Sequence, residues 1–380
     1  MLEKIINAFK NRFGADPDFV VRSPGRINLI GEHTDYNEGF VFPMAIKYAQ
    51  WLAIKANKTD HVSLYSADID KDVVFSVTDF SQKITGWACY PQGIAWALHD
   101  NGYPLKGWDG LLLGDLPLGA GLSSSAALDL VTARAFSLTG GFQWDPIQMS
   151  VISKQSENQW IGLNNGIMDQ LISATGEKGK AILIDCRSLD IQHHALPTDT
   201  IIVVMNTMVK HALVESGYND RFRQCMEGAK AFGKKFLRDV TMEEFNDGAD
   251  RLDEVIRRRC RHVISENART LEAAGCMERN DPVRLGQLMN ESHASLRDDF
   301  EVSCEELDIM AEEGQKQPGC YGARMTGGGF GGSAIALVKT EYAELFMKNI
   351  ASIYEAKTGI KPNIFATDAE RGTSVEYTKD

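Results

Sequence analysis

The chain has 380 residues, 43% of them hydrophobic and 24% charged, with 34 glycines and 11 prolines. At about two and a half times the usual length per domain it predicts two domains and excludes a lone small module, a disordered chain and a collagenous one. Forty basic against 52 acidic residues give a formal charge of −12, which argues against nucleic acid as a partner, so any anionic substrate must be held by local devices: backbone N–H groups, a helix N-terminus, a metal ion or a few placed arginines.

Leu2, Ile5, Ile6, Phe9 and Phe13 fall at helical spacing before Gly14. They predict an N-terminal helix and lack the continuous apolar stretch of a signal peptide. No apolar run approaches the ~20 residues that span a bilayer. The seven cysteines are scattered without a C-x-x-C pair, so neither a disulfide framework nor a zinc site is indicated. A cytoplasmic enzyme with no membrane partner is the expectation. Short apolar or alternating runs at 19–22, 40–45, 50–55, 62–65 and 73–77 predict strands. Residues 87–101 and 126–138 predict helices, with a strand at 110–113 feeding the second. Between 157 and 169 two glycines and two adjacent asparagines predict the end of a helix and then a loop.

Residues 180–185 and 200–206 predict buried strands, and the polar stretch 187–199 carries the chain between domains, with the boundary placed between residues 1–190 and 191–380. Thr241 and Glu244 form a capping box, opening helical patterning that persists to about residue 274. Strands such as 333–338 then alternate with helices, and no internal repeat is seen.

Three segments carry chemistry. The first in strength is Pro117-Leu-Gly-Ala-Gly-Leu-Ser-Ser-Ser-Ala126, a small-residue turn running into a helix. Small residues let a phosphate approach the backbone, and the helix offers unpaired N–H groups and its positive end. No lysine follows the last glycine, so this is not a Walker A loop; the bland alternative is a flexible turn before a core helix. Arg324-Met-Thr-Gly-Gly-Gly-Phe-Gly-Gly332 fits G-x-G-x-x-G through Gly327, Gly329 and Gly332, but the predicted strand follows the glycines instead of preceding them. A hairpin or a close backbone approach to a ligand competes there with a dinucleotide fingerprint. In Arg22-Ser-Pro-Gly-Arg-Ile-Asn-Leu-Ile-Gly-Glu-His-Thr-Asp-Tyr36, the groups Arg26, Glu32, His33 and Asp35 cluster among apolar residues. Their carboxylates suit sugar hydroxyls, and a solvated turn is the alternative. A metal site there is disfavoured, because adjacent side chains of an extended segment face opposite ways. Glu157 and Asp169 complete a plausible set of acids, whose spacing alone does not identify a base.

Taken together, GRINLIGEHTDYNEGFVFPMAI, PLGAGLSSSAAL and GARMTGGGFGGSAIALV resemble the GHMP kinase superfamily and, within it, the galactokinases. Residues 290–299, 184–188 and 218–221 match the family's pattern too, so the similarity spans nearly the whole chain. The first motif is highly specific; the glycine loops alone are not. The resemblance implies an α+β protein with a two-domain GHMP kinase fold, a ribosomal-protein-S5-domain-2-like N-terminal domain and a ferredoxin-like C-terminal domain. The site would lie in the cleft between them, with residues 365–372 packing back across the boundary. It further implies transfer of the γ-phosphoryl group of MgATP to the anomeric hydroxyl of α-D-galactose; a monomer is the expectation, with weak self-association left open.

By the same resemblance Gly119, Ala120, Gly121, Leu122, Ser123, Ser124 and Ser125 would wrap the ATP phosphates, with Ser66 and Trp87 at the nucleotide. Ser125 and Glu157 would hold Mg²⁺. Glu32, His33, Thr34, Asp35, Gly166 and Tyr218 would bind the sugar. Asp169 would be the base, with Arg26 its charged neighbour. Asn158 stands where the family often has His, Asn165 and Ser333 where Cys is frequent, and Glu38 where Gly is. The rival readings are a kinase for N-acetylgalactosamine or another hexose, and an inactive galactose- and ATP-binding regulator. Retention of Arg26, Ser125, Glu157 and Asp169 speaks against the regulator.

Overall fold

The structure, a computed structural model, describes residues 1–117, 120–210 and 214–379. The N-terminal helix, Leu2–Phe13, buries Ile5 and Phe9 and stops where Gly14 turns left-handed at φ 70° and donates to Lys10 O. It packs on a six-stranded sheet whose spatial order is Ser374–Thr378, Phe19–Asn28, Pro43–Ala56, Trp108–Gly114, His61–Ser66 and Lys71–Ser76. All neighbours in it are antiparallel except His61–Ser66 beside Trp108–Gly114. Helices Cys89–Asp100, Ser124–Gly140 and Pro146–Gln155 bury their apolar faces together with it.

The strand Phe19–Asn28 sets the geometry of the site. Its register against Pro43–Ala56 slips between Pro24 and Arg26, where proline has no N–H to give to the ladder. The bulge re-aims the residue that follows it. Gly25 sits at the slip because a Cβ there would lie 2.6 Å from Leu122 O, and the N–H of Arg26 donates to that same carbonyl at 3.1 Å. The serine-rich turn is thereby fixed to the first strand.

A second sheet runs Cys320–Thr326, Gly331–Lys339, Thr200–Lys210, Asn363–Thr367, all antiparallel, with Pro282–Asp298 and Glu305–Gln315 packed against it. One buried cluster joins Ile27, Leu29 and Phe42 to Ala273, Leu288, Ile335 and Phe365, so the two halves share apolar core. Each such side chain contributes about 1.5–3 kcal/mol when withdrawn from water. The segment near residue 370 crosses over the first half, with Glu370 N donating to Ala45 O and Gly372 N to Gly176 O. Among the described residues no helix is long and apolar enough to cross a membrane.

Three local expectations change. The polar stretch 187–199 contains a strand, Ile191–Ala195, completing a three-stranded sheet with Lys180–Asp185 and Phe40–Val41. It buries His194 and exposes Gln192 and His193, so apolar patterning had little to show there. The capping box at Thr241 and Glu244 forms, but the helix it opens ends at Gly248. A new helix, Glu254–Glu278, starts where the Asp253 carboxylate accepts from Val255 N. Asp169 stands in the first turn of helix Met168–Thr175 instead of in a loop, and Glu157 lies in a wide helical turn, Ser156–Ile161.

Candidate active site

Two cavities adjoin at Arg26, Asp169 and Gly328, the first of them between the serine-rich turn and the second glycine cluster. One is lined by Leu116, Pro117 and Ala120 to Ser125 on one side and by Thr326 and Gly328 to Gly332 on the other. Ser123 is left-handed at φ 58° and precedes helix Ser124–Gly140, so the unpaired N–H groups of that helix end at the cavity. Gly119 lies outside the described residues. The glycine cluster is the turn of an antiparallel hairpin between Cys320–Thr326 and Gly331–Lys339, which removes the dinucleotide-fingerprint alternative. At Gly329, φ is 79° and a Cβ would sit 2.2 Å from Val302 O. Ser333 Oγ donates to Ala120 O at 2.7 Å, tying the two walls together.

The other cavity is lined by Glu32, His33, Asp35, Asn165, Gly166, Met168, Gln170, Tyr218, Gly327 and Gly328. Glu32 is buried. Its Oε1 accepts from Gly327 N at 2.8 Å and meets the Arg324 guanidinium at 3.4 Å. Burial pushes its carboxyl up, opposed by Arg324 and then Arg26. Beneath it the fully buried Glu266 accepts from Gly31 N, Ser292 Oγ and Arg269 Nε. Burial alone would raise this carboxyl, yet Arg269, His262 and Arg324 bring it down to about 2.

His33 is left-handed at φ 61°. Its Nε2 faces Gly328 O at 3.3 Å and its Nδ1 faces Tyr36 Oη at 2.9 Å. A carbonyl only accepts, so Nε2 carries the hydrogen and Tyr36 donates to Nδ1. Burial lowers the imidazole to about 3, so it is neutral. The Asp35 carboxyl is pushed up to about 6, first by burial and then by the charge of Asp169. Gly166 abuts it so closely that a Cβ would fall 1.7 Å from Asp35 Oδ2.

Arg26 and Asp169 line both cavities. Arg26 Nε and Nη2 donate to Asp169 Oδ1 and Oδ2, each at 2.8 Å, while Nη1 donates to Gly121 O at 2.6 Å. The Ser123 hydroxyl also donates to Asp169 Oδ2. This bidentate fork fixes the carboxylate in plane and direction. Beside it lies Glu157, whose Oε2 accepts from the Asn165 amide and whose Oε1 has no partner among the described residues. Burial raises this carboxyl to about 7, opposed by the Asn165 hydrogen bond, and Ser125 adjoins it. Glu157 itself lines neither cavity, but a buried carboxylate oxygen beside Ser125, which does line the one at the serine-rich turn, fits a small hard cation. Among the described residues no three His, Cys, Asp or Glu side chains group as metal ligands, so a cation here would need phosphate oxygens and water to complete its shell.

Three other expected site residues line neither cavity. Thr34 is buried with its hydroxyl bonded to Gly31 O and Phe40 O, so it shapes the loop and does not line the sugar cavity. Ser66, buried at the end of its strand, and Trp87, packed on the helical layer, line neither cavity. Sequence reasoning passed over Phe330 and Gln170 as lining residues, and Glu266 and Arg324 beneath Glu32.

A hairpin of glycines facing a serine-rich helix start, with a carboxylate–arginine pair between two cavities, defines a kinase of the GHMP superfamily. Models for the GHMP kinase N-terminal domain and C-terminal domain match residues 90–177 and 273–355. The galactokinase galactose-binding signature matches residues 7–56. Lactococcus lactis galactokinase, solved with galactose, is 36% identical, with 98% of this chain and 99% of that one covered and a TM-score of 0.93. Methanococcus jannaschii mevalonate kinase, 18% identical over 93% of this chain and 99% of its own, shares the fold at a TM-score of 0.63. So does a D-glycero-D-manno-heptose 1-phosphate kinase from Bacteroides thetaiotaomicron, 12% identical over 95% and 99%, at 0.63. The chain belongs to the galactokinase family and is a phosphotransferase.

Proposed function

We propose that the protein transfers the γ-phosphoryl group of MgATP to the C1 hydroxyl of α-D-galactose. The observation that carries this reading is the Arg26–Asp169 pair standing as the wall common to both cavities. In it residues 1–190 supply the phosphate loop and most sugar contacts, and residues 191–380 supply Tyr218 and the glycine hairpin.

The sugar enters the cavity of Glu32, His33, Asp35 and Tyr218. The carboxylates accept from its hydroxyls, and Gly166 leaves room for Asp35. This fixes the C1 hydroxyl at Asp169, which takes its proton as the C1 oxygen bonds to the γ-phosphorus and the bond to the β-phosphate oxygen breaks, releasing ADP. Phosphoryl transfer depends chiefly on alignment and on neutralising charge over three equatorial oxygens. Arg26 does both: it orients Asp169 and puts positive charge beside the transferring group. The N–H groups after Ser123 add to that charge. Ser125 and Glu157 would hold Mg²⁺, which when bound supplies charge neutralisation to the β- and γ-phosphates. The hairpin Gly327–Gly332 covers the phosphates and keeps water out.

The test is a coupled ADP-release assay across galactose, glucose, talose, galactosamine and N-acetylgalactosamine. ADP must form only with sugar present and fastest with galactose. Galactose binding without ADP formation would instead identify a sensor, and a higher kcat/KM for N-acetylgalactosamine a different hexose kinase.

A further inference from the structure

Asp129 is one helical turn beyond Ser125 on Ser124–Gly140 and has 0% exposure. Residues four apart share one face of a helix, so Asp129 lies directly behind the serine that borders the phosphate cavity. Neither of its oxygens has a hydrogen-bond partner among the described residues, and the same is true of Glu157 Oε1. Glu157 is the charged group that acts on Asp129 most strongly, and Cys89 follows. Three carboxylate oxygens are thus buried together, Asp129 and Glu157 within reach of each other and the Ser125 hydroxyl the nearest donor to Glu157. Elsewhere buried acids in this protein are satisfied: Glu266 has four donors and Glu32 has three.

Two facing carboxylates in a dry interior are expensive unless a cation or a shared proton lies between them. The Asn165 amide already occupies the other oxygen of Glu157, so the unpartnered Oε1 and the Asp129 carboxylate are what remain. We propose that Asp129 is a third protein group of the divalent-cation site, giving the second carboxylate beside Glu157 and Ser125. This rests on the cation assignment made above. It also explains why a carboxylate stands among the buried positions of a helix that are otherwise Ala, Leu, Val, Phe, Thr and Ser.

The experiment is Mn²⁺ titration of the protein–ADP complex, read from the loss of the free-Mn²⁺ EPR signal, for wild type, Asp129→Asn and Glu157→Gln, with galactose affinity measured in parallel. Asp129→Asn is expected to weaken Mn²⁺ binding at least tenfold and to shrink the Mn²⁺-induced rise in melting temperature, with galactose affinity within twofold. Mn²⁺ affinity within twofold of wild type would overturn the proposal and leave a proton shared with Glu157 as the neutralising device. Asp129→Ser, smaller and uncharged, is read by the same criterion if the amide variant does not fold. If wild type and Glu157→Gln bind Mn²⁺ equally, the cation assignment itself fails, whatever Asp129 does.

Discussion

Replacing Gly166 by alanine tests the sugar cavity with a single methyl group. The φ of Gly166 lies outside the left-handed region, so the backbone accepts alanine and the effect is steric. The new Cβ would stand 1.7 Å from Asp35 Oδ2 and 2.1 Å from Asp35 Cγ, where ordinary contact begins at 3.4 Å. The carboxylate must therefore retreat by about 1.7 Å, more than half the length of a hydrogen bond, and loses its reach into the cavity. A hydrogen bond to a charged group contributes about 1.5–3 kcal/mol, so galactose affinity should fall roughly 10- to 150-fold. Calorimetric titration with galactose and steady-state KM measure this. Mn²⁺·ADP affinity and the melting curve serve as controls and should change little. A Gly166→Ala enzyme that folds and binds galactose as tightly as wild type would refute the placing of Asp35 on the sugar.

Asp169→Asn keeps the shape of the carboxylate and removes its basicity. It should lower kcat by about 10²–10⁴-fold while calorimetry finds galactose affinity nearly unchanged; a parallel loss of both would make Asp169 a binding group only. The Asp35 carboxyl, raised to about 6, is charged above that pH and neutral below it, so kcat/KM for galactose should fall as pH drops through about 6. Asp35→Asn should lose that limb. In the ligand-free protein the sign reverses: folding favours the protonated form, and Asp35 withdraws stability as pH rises from about 4 to about 6. Glu266→Ala strips an acceptor from Arg269, Ser292 and the Gly31 N–H in a dry interior. Chemical denaturation should show a loss of about 3–5 kcal/mol, with KM for galactose rising because the Glu32 loop is no longer held. Unchanged stability would mean that water enters and replaces the carboxylate.

How much of this was legible follows from where each signal resides. The small-residue turn before Ser124 announces an anion cradle by composition, because the chemistry is in the backbone and survives any side-chain ambiguity. Arg26 and Asp169 are 143 positions apart; their residue types are visible, but only resemblance to a family brings them together. The motif puts Thr34 on the sugar with its neighbours, yet at that position the hydroxyl turns into the loop. Glu266 carries no local mark. It sits in a long helix rich in charged residues, most of which face water, and its burial is decided by the Arg324 strand folding over it. Asn165 was visible as a departure from the pattern, and its partner Glu157 appears only once the wide turn at Ser156–Ile161 points the two side chains at each other.

The outermost strand of the first sheet, Ser374–Thr378, comes from the far end of the sequence and lies alongside the strand that presents Arg26. During synthesis the ribosome therefore releases Phe19–Asn28 long before its flanking partner exists. Until residue 378 emerges, that strand has one naked edge of amides and carbonyls, open to pairing with a neighbouring nascent chain. Expression yield should therefore depend on whether a chaperone covers that edge in the interval.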